Sequence, residues 1–254
     1  MAWSFKAWRR RRILRQHAVP ELLWQGVVAR LSLLRGMTPD ELRRLRDLTT
    51  LFLHAKQMSG AGGLAVTDGM RVTIAAQACL PILNLDLDYY DGWVEIIVYP
   101  DEFVPEYEYT DEDGLVHHVR APMSGEAWLG GPVILSWHDA GRGHEVDGYN
   151  VVIHEFAHKL DMLNGDANGF PPLHAGMSRQ AWSAAFGAAY ENFCARVDGG
   201  EDTAIDPYAS ETPGEFFAVM SEAFFEMPQV VKREYPEVYA QLGQFYRQDP
   251  AARI

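Results

Sequence analysis

The chain has 254 residues, 48% apolar and 22% charged, with a formal net charge of -13. That is enough apolar material for a substantial core and too little charge bias for a disordered chain, and no run approaches the roughly 18 apolar residues of a membrane span. Charge is unevenly divided. Residues 1–46 hold eleven Lys/Arg and three Asp/Glu, whereas residues 47–254 balance to -21, so the acidic bulk would repel nucleic acid while the basic start suits an anionic surface, a membrane face or an acidic partner.

The first residues are basic and aromatic (Trp3, Phe5, Lys6, Trp8, Arg9 to Arg12) and lack the apolar stretch of a secretory signal. They read as a solvated, partly frayed end. Val19 to Leu34 has helical apolar spacing through Leu22, Leu23, Val27, Leu31 and Leu34. Thr38-Pro39-Asp40-Glu41 is a helix start with a Thr cap, Pro in the first turn and a capping-box Glu. Thr67-Asp68 opens a third helix ending near Leu80, before Pro81. Cys79 and Cys194, far apart and in no Cys-x-x-Cys pattern, are expected to be reduced thiols of a cytoplasmic protein.

In the middle, Trp93 to Tyr99 and Val133 to Trp137 are rich in β-branched and aromatic residues and read as strands. Acidic Val104 to Val119 reads as a hairpin or long loop. Helices return at Tyr149–Leu163, Ser178–Val197, Pro213–Glu226 and Glu234–Tyr246. The order points to an α+β fold with a small mixed sheet: a helical N-terminal region at 1–85 packed against the part at 86–254.

His154-Glu155-Phe156-Ala157-His158 is an H-E-x-x-H pattern. Residues four apart on a helix lie about 40° apart around the axis and about 6 Å along it, so both imidazoles can reach one ion. Glu155, about 100° round from His154, can take a proton from water without being a ligand. A chain of this composition contains the pattern by chance with a probability of roughly 2%, so the context must carry the argument. Val152, Phe156, Leu160 and Leu163 form an expected buried stripe. Asp161 is expected to orient a ligand histidine. His144-Glu145 lacks a partner four residues on.

Two histidines leave a catalytic zinc one protein ligand short. The metzincin extension is absent after His158. The helix at 212–227 offers Glu215, Glu222 and Glu226; Glu215 and Glu222 share a face, and Glu215 also fits a capping box behind Thr212. Residue chemistry leaves Glu215 and Glu222 both open.

HEFAHKLD at 154–161, Asp206-Pro207-Tyr208-Ala209 and Glu215-Phe216-Phe217-Ala218-Val219 together resemble the Mlc titration factor A family of bacterial zinc peptidases, of gluzincin type. More distantly, the metal helix and the Tyr/Glu block are similar to the catalytic domain of anthrax lethal factor. The resemblance implies a zincin-like metallopeptidase fold, one Zn2+ per chain held by His154, His158 and Glu215, Glu155 as general base and Tyr208 as donor to the oxyanion. It also implies a peptide substrate, aminopeptidase-like action, and a second role in binding an Mlc-like transcriptional repressor. A peptide is expected to pair with the strand at Val133 to Trp137.

Overall fold

The computed structural model describes residues 5–104, 107–110, 116–119, 123–143 and 145–253. Three helices open the chain: α1 at Phe5–Gln16, α2 at Glu21–Val28 and α3 at Pro39–Ala55. Thr38 caps α3 as expected, accepting from Glu41 N–H while the Glu41 carboxylate accepts from Thr38 N–H at 2.8 Å. α2 is shorter than its apolar spacing predicts: the chain leaves the helix after Val28, and Ser32–Leu34 forms a separate 3-10 turn. From Phe5 on the basic start is not frayed but helical, and the Arg10 guanidinium forks onto Asp86 at 2.9 and 2.6 Å; Trp3 lies outside the described residues.

Next come β1 (Gln57–Gly60), α4 (Asp68–Cys79), β2 (Glu95–Tyr99), β3 (Tyr107–Thr110), β4 (Val116–Val119), β5 (Gly125–Ala127), β6 (Val133–Ser136) and the short α5 (Trp137–Ala140). The main sheet has the order β1-β2-β6-β5. Its first three strands are parallel, and β5 folds back antiparallel on β6. β3 and β4 pair antiparallel, as a hairpin reading of the acidic segment requires; the turn between them lies outside the described residues. β1 and β5 are too short and too poor in β-branched residues to be read as strands, and only pairing reveals them. β6 is therefore internal, so it has no edge to offer a peptide. The edge on that side belongs to β5.

The C-terminal part holds α6 (Val151–Asp161), α7 (Arg179–Asp198), α8 (Pro213–Glu226), α9 (Pro228–Glu234) and α10 (Pro236–Tyr246). The expected Glu234–Tyr246 helix is α10, starting two residues later at Pro236; α9 just before it was not expected, and each has Pro in its first turn, with the break at Tyr235. α8 is buried on nearly every side from Gly214 to Glu226, and forms the central post of the molecule. α6 packs along it and against β5 and β6. One apolar cluster runs from Ile13 to Ala251. No described helix is long and apolar enough to cross a membrane. Both cysteines are free, Cys79 buried and Cys194 partly so.

Candidate metal centre

Asn150 starts α6 by accepting from Ile153 N–H at 3.0 Å. Val152, Phe156 and Leu160 then turn into the core with no exposed surface. Leu163 does not join them; it lies beyond the helix in the 3-10 turn Met162–Asn164 and is 41% exposed. With that stripe buried, His154 and His158 project together from another side of α6.

α8 supplies the third group. Thr212 caps it by accepting from Glu215 N–H at 3.1 Å. The Glu215 carboxylate does not fold back to close a capping box; it reaches across to the histidines. His154 Nε2 lies 3.0 Å from Glu215 Oε2, His158 Nε2 3.3 Å from the same oxygen, and the two Nε2 atoms are 3.1 Å apart. A tetrahedral ion bonded at about 2.0–2.1 Å to each would need about 3.3–3.4 Å between its ligands. The triangle is close to that size, and these three residues could hold a metal ion.

The remaining ring nitrogens separate the two histidines. Glu222, one of the buried carboxylates of α8, has its Oε1 2.7 Å from His154 Nδ1. A carboxylate there fixes the proton on Nδ1 and leaves the Nε2 lone pair facing the triangle, as a metal ligand requires. Glu222 Oε2 in turn accepts from Asn150 N–H. Glu222 is therefore a support for His154 rather than a corner of the triangle. The expectation that Asp161 orients a histidine fails: Asp161 Oδ2 accepts from Gly169 N–H at 2.6 Å and braces the loop after α6. His158 Nδ1 and Asp161 Oδ1 are both buried with no hydrogen-bond partner.

The charges explain why a cation suits this place. Burial disfavours the charged form of His154, but Glu222 and Glu215 more than offset it and hold the imidazole well above its ordinary pKa. Burial would raise Glu215, yet its hydrogen bonds with His154 and His158 keep it well below the usual carboxylate range. Glu215 and Glu222 thus face the two imidazoles in a largely buried volume, where a divalent cation would take the place of the protons they share.

Glu155 lines a cavity beside His154. Burial pushes its carboxyl up to about 7, with His154 and His158 pulling the opposite way. β5 crosses α6 so closely here that a Cβ on Gly125 would fall 2.5 Å from Glu155 Oε1 and 2.6 Å from Val151 Cγ2. Only glycine fits. Lys159 fastens the turn after β5, donating to Trp128 O at 2.6 Å and Gly131 O at 2.8 Å. A cavity of about 220 Å³ opens between these elements, lined by Ser124, Gly125, His154, Glu155, Asp206 and Tyr208 among others. Tyr208 sits in the 3-10 turn Pro207–Ser210, its ring 6.2 Å from that of His154. Burial, then Glu215 and Glu155, raise its phenol to about 12, so it stays a hydrogen-bond donor at neutral pH.

The family model for glucose-regulated metallo-peptidase M90 matches residues 5–247. The chain belongs to this family. Among its relatives, the Mlc titration factor A of Salmonella arizonae is 40% identical over 237 residues, covering 91% of this chain and 93% of the relative. That of Cronobacter sakazakii is 37% identical over 239 residues, covering 93% and 90%. That of Klebsiella pneumoniae strain 342 is 37% identical over 236 residues, covering 92% and 89%.

In this M90 chain the structure brings His154, Glu155, His158, Tyr208 and Glu215 into one place, from α6, α8 and the turn before α8. His144 lies outside the described residues. The sequence reading missed Asn150, Gly125 and Lys159. Asn150 carried a usable signal, since an Asn just before a helical apolar run is a cap. Gly125 and Lys159 carried none, because both act through a crossing of β5 and α6 that no local pattern encodes.

Proposed function

We propose that this M90 metallopeptidase is a zinc-dependent hydrolase of peptide bonds, with His154, His158 and Glu215 as ligands. One observation carries the reading: two imidazole nitrogens and a carboxylate oxygen form a triangle 3.0–3.3 Å on a side, next to a buried carboxyl that is not part of it. A zinc ion held there would supply Lewis acidity, polarising a carbonyl and lowering the pKa of a water.

The chain's own groups do the rest. Glu155 takes the proton from the attacking water and returns it to the leaving amine. Its raised pKa suits both directions of transfer near neutral pH. Tyr208 donates its hydroxyl to the oxygen on which negative charge develops. Glu222 keeps His154 in one tautomer and one orientation. The free edge of β5 hydrogen-bonds an extended peptide and places its carbonyl beside Glu155. Asp206, on the wall of the same small cavity, offers a carboxylate to a substrate's amino end, which favours aminopeptidase action on short peptides.

The chain acts in the cytoplasm, a reading supported by its free thiols. Residues 1–85, mostly helical where described, support the catalytic part at 86–254 and lend β1 to its sheet. The test is metal content together with chelator-sensitive cleavage of a peptide library read by mass. Stoichiometric zinc and cleavage abolished by chelator and restored by zinc are expected. Full cleavage in metal-free protein would sink the reading.

The name shared by the relatives supports a second role, binding an Mlc-like repressor. The Glu155→Gln variant separates the two. Capture of the repressor, intact, by this variant is expected if contact alone sequesters it.

A further inference from the structure

Helix α1 carries six basic residues in twelve positions and no acidic one. Its inner side is set by Ile13, its single buried residue, by Leu14 packed on the core, and by Lys6 and Arg10, which pair with Asp88 and Asp86. At 100° per residue these four fall within an arc of about 100°. Phe5, Trp8, Arg9, Arg12 and Arg15 fall in a second arc of about 120° on the opposite side, and all five are exposed. Phe5 is 75% exposed and Trp8 39%; their rings stack at 5.9 Å, with the Arg12 guanidinium 5.7 Å from the Trp8 ring. Among the described residues, no carboxylate pairs with Arg9, Arg12 or Arg15. Arg12 Nε donates to Gln16 Oε1 and Arg15 Nε to Arg11 O, along their own helix.

Two facts about this face need one explanation. A large aromatic pair stands in water, and arginines flank it with no acidic partner. Elsewhere the chain has an excess of acid, so the unpaired charge does not arise from a shortage of carboxylates. They were spent on the inner side, where Asp86 and Asp88 pin the helix to the body and present its outer face in a fixed orientation. Aromatic rings between arginines match the border of a bilayer, where the rings enter the headgroup layer and the guanidinium groups meet lipid phosphates. Nucleic acid fits less well, because the rings stack on each other instead of splaying to receive bases and residues 47–254 carry -21. The acidic body does not forbid approach to an anionic surface, since its field is screened beyond about 8–10 Å at ordinary salt.

We propose that the Phe5/Trp8/Arg9/Arg12/Arg15 face of α1 docks the protein on an anionic lipid surface. None of the residues around the candidate metal centre lies on α1, so the two readings can fail independently.

The experiment is co-sedimentation of the full chain with vesicles of phosphatidylcholine alone and of phosphatidylcholine mixed equally with phosphatidylglycerol, at low and moderate salt. Binding only to the mixed vesicles, weakened by salt, is expected. Arg9→Glu, Arg12→Glu and Arg15→Glu together should reduce partitioning by roughly a hundredfold or more. Phe5→Ser with Trp8→Ser, which leaves the charge unchanged, should reduce it by about tenfold. All five positions are exposed, so circular dichroism should show both variants folded. Three outcomes would overturn the proposal: no sedimentation with the mixed vesicles, loss in the arginine variant but not in the aromatic one, or single-stranded DNA bound as strongly as the vesicles and through the same residues.

Discussion

Helices α6 and α8 at the centre and α1 at the surface both carry concentrated charge, and they handle it in opposite ways. Between α6 and α8 the charges are buried, and each is shaped by a named neighbour: His154 by Glu222, Glu222 by Asn150, Glu215 by two imidazoles. On α1 the outward arginines have solvent around them and act through their summed field. Burial makes the identity and position of every partner decisive, because a misplaced charge in a dry volume has no water to relieve it. Exposure makes number and sign matter more than position. Substitutions should therefore act individually at the centre and collectively on α1.

The sharpest break at the centre is Glu155→Gln. It keeps the shape of the site and removes the base, so turnover should fall on the order of a thousandfold with metal content unchanged. Peptide cleavage and metal analysis on the same sample check this; near-normal turnover would remove Glu155 from the chemistry.

The two carboxylates of α8 come next. Glu215→Ala deletes a corner of the triangle and should abolish stable metal binding. Glu222→Gln leaves the triangle and disturbs only the proton on His154 Nδ1, for a loss of about 10–100-fold in metal affinity. Competition titration with a chromophoric chelator ranks them, and the reverse order would exchange their roles.

Gly125→Ala tests the crossing of β5 over α6. Its Cβ would meet Glu155 Oε1 and Val151 Cγ2, so either the strand or the carboxylate must move. A loss of roughly 1–3 kcal/mol in stability is expected. Turnover should fall by more than the folded fraction does. Equal losses in both would show that β5 has no part in the chemistry.

The smallest effect concerns Glu226, whose Oε1 accepts from Asn150 Nδ2 at 3.0 Å. Burial, with Asp147 and Glu222 nearby, raises it to about 8, against hydrogen bonds from Asn150 and Gly148. An acid with a folded pKa above its unfolded value near 4.5 disfavours the folded state once it ionises. Stability should therefore fall progressively from about pH 5 to about pH 8 and level off above. Glu226→Gln should flatten that part of the profile in urea unfolding. A variant that follows the parent over the whole range would assign the slope to other groups.

Much of the fold was readable locally, and the failures have physical causes. The capped starts of α3 and α4 were legible because the cap and the first turn are adjacent in sequence. α8 was legible to the residue because Thr212-Pro213 opens it and Pro228 follows its end. β5 was invisible: three residues with one glycine satisfy no strand pattern, and they are a strand only because β6 lies beside them. The frayed-end reading of α1 failed because an ion pair with Asp86, 76 positions away, holds it. Asp161 looked aligned with the histidines by helical spacing, but the loop at Gly169 claimed its carboxylate.

The sequence by itself determined the pair of imidazoles and the nearby base, because a single helix with its 3.6-residue turn sets their spacing. It also determined that a carboxylate on a later helix was available. Which carboxylate enters the triangle was a tertiary decision. Glu215 and Glu222 are seven residues apart on one face of α8, about 10 Å along the axis, and nothing local distinguishes them as ligands. The way α8 lies against α6 does. It sets the first turn of α8 against both Nε2 atoms and the buried middle against His154 Nδ1, so one carboxylate joins the triangle and the other holds the histidine that forms it.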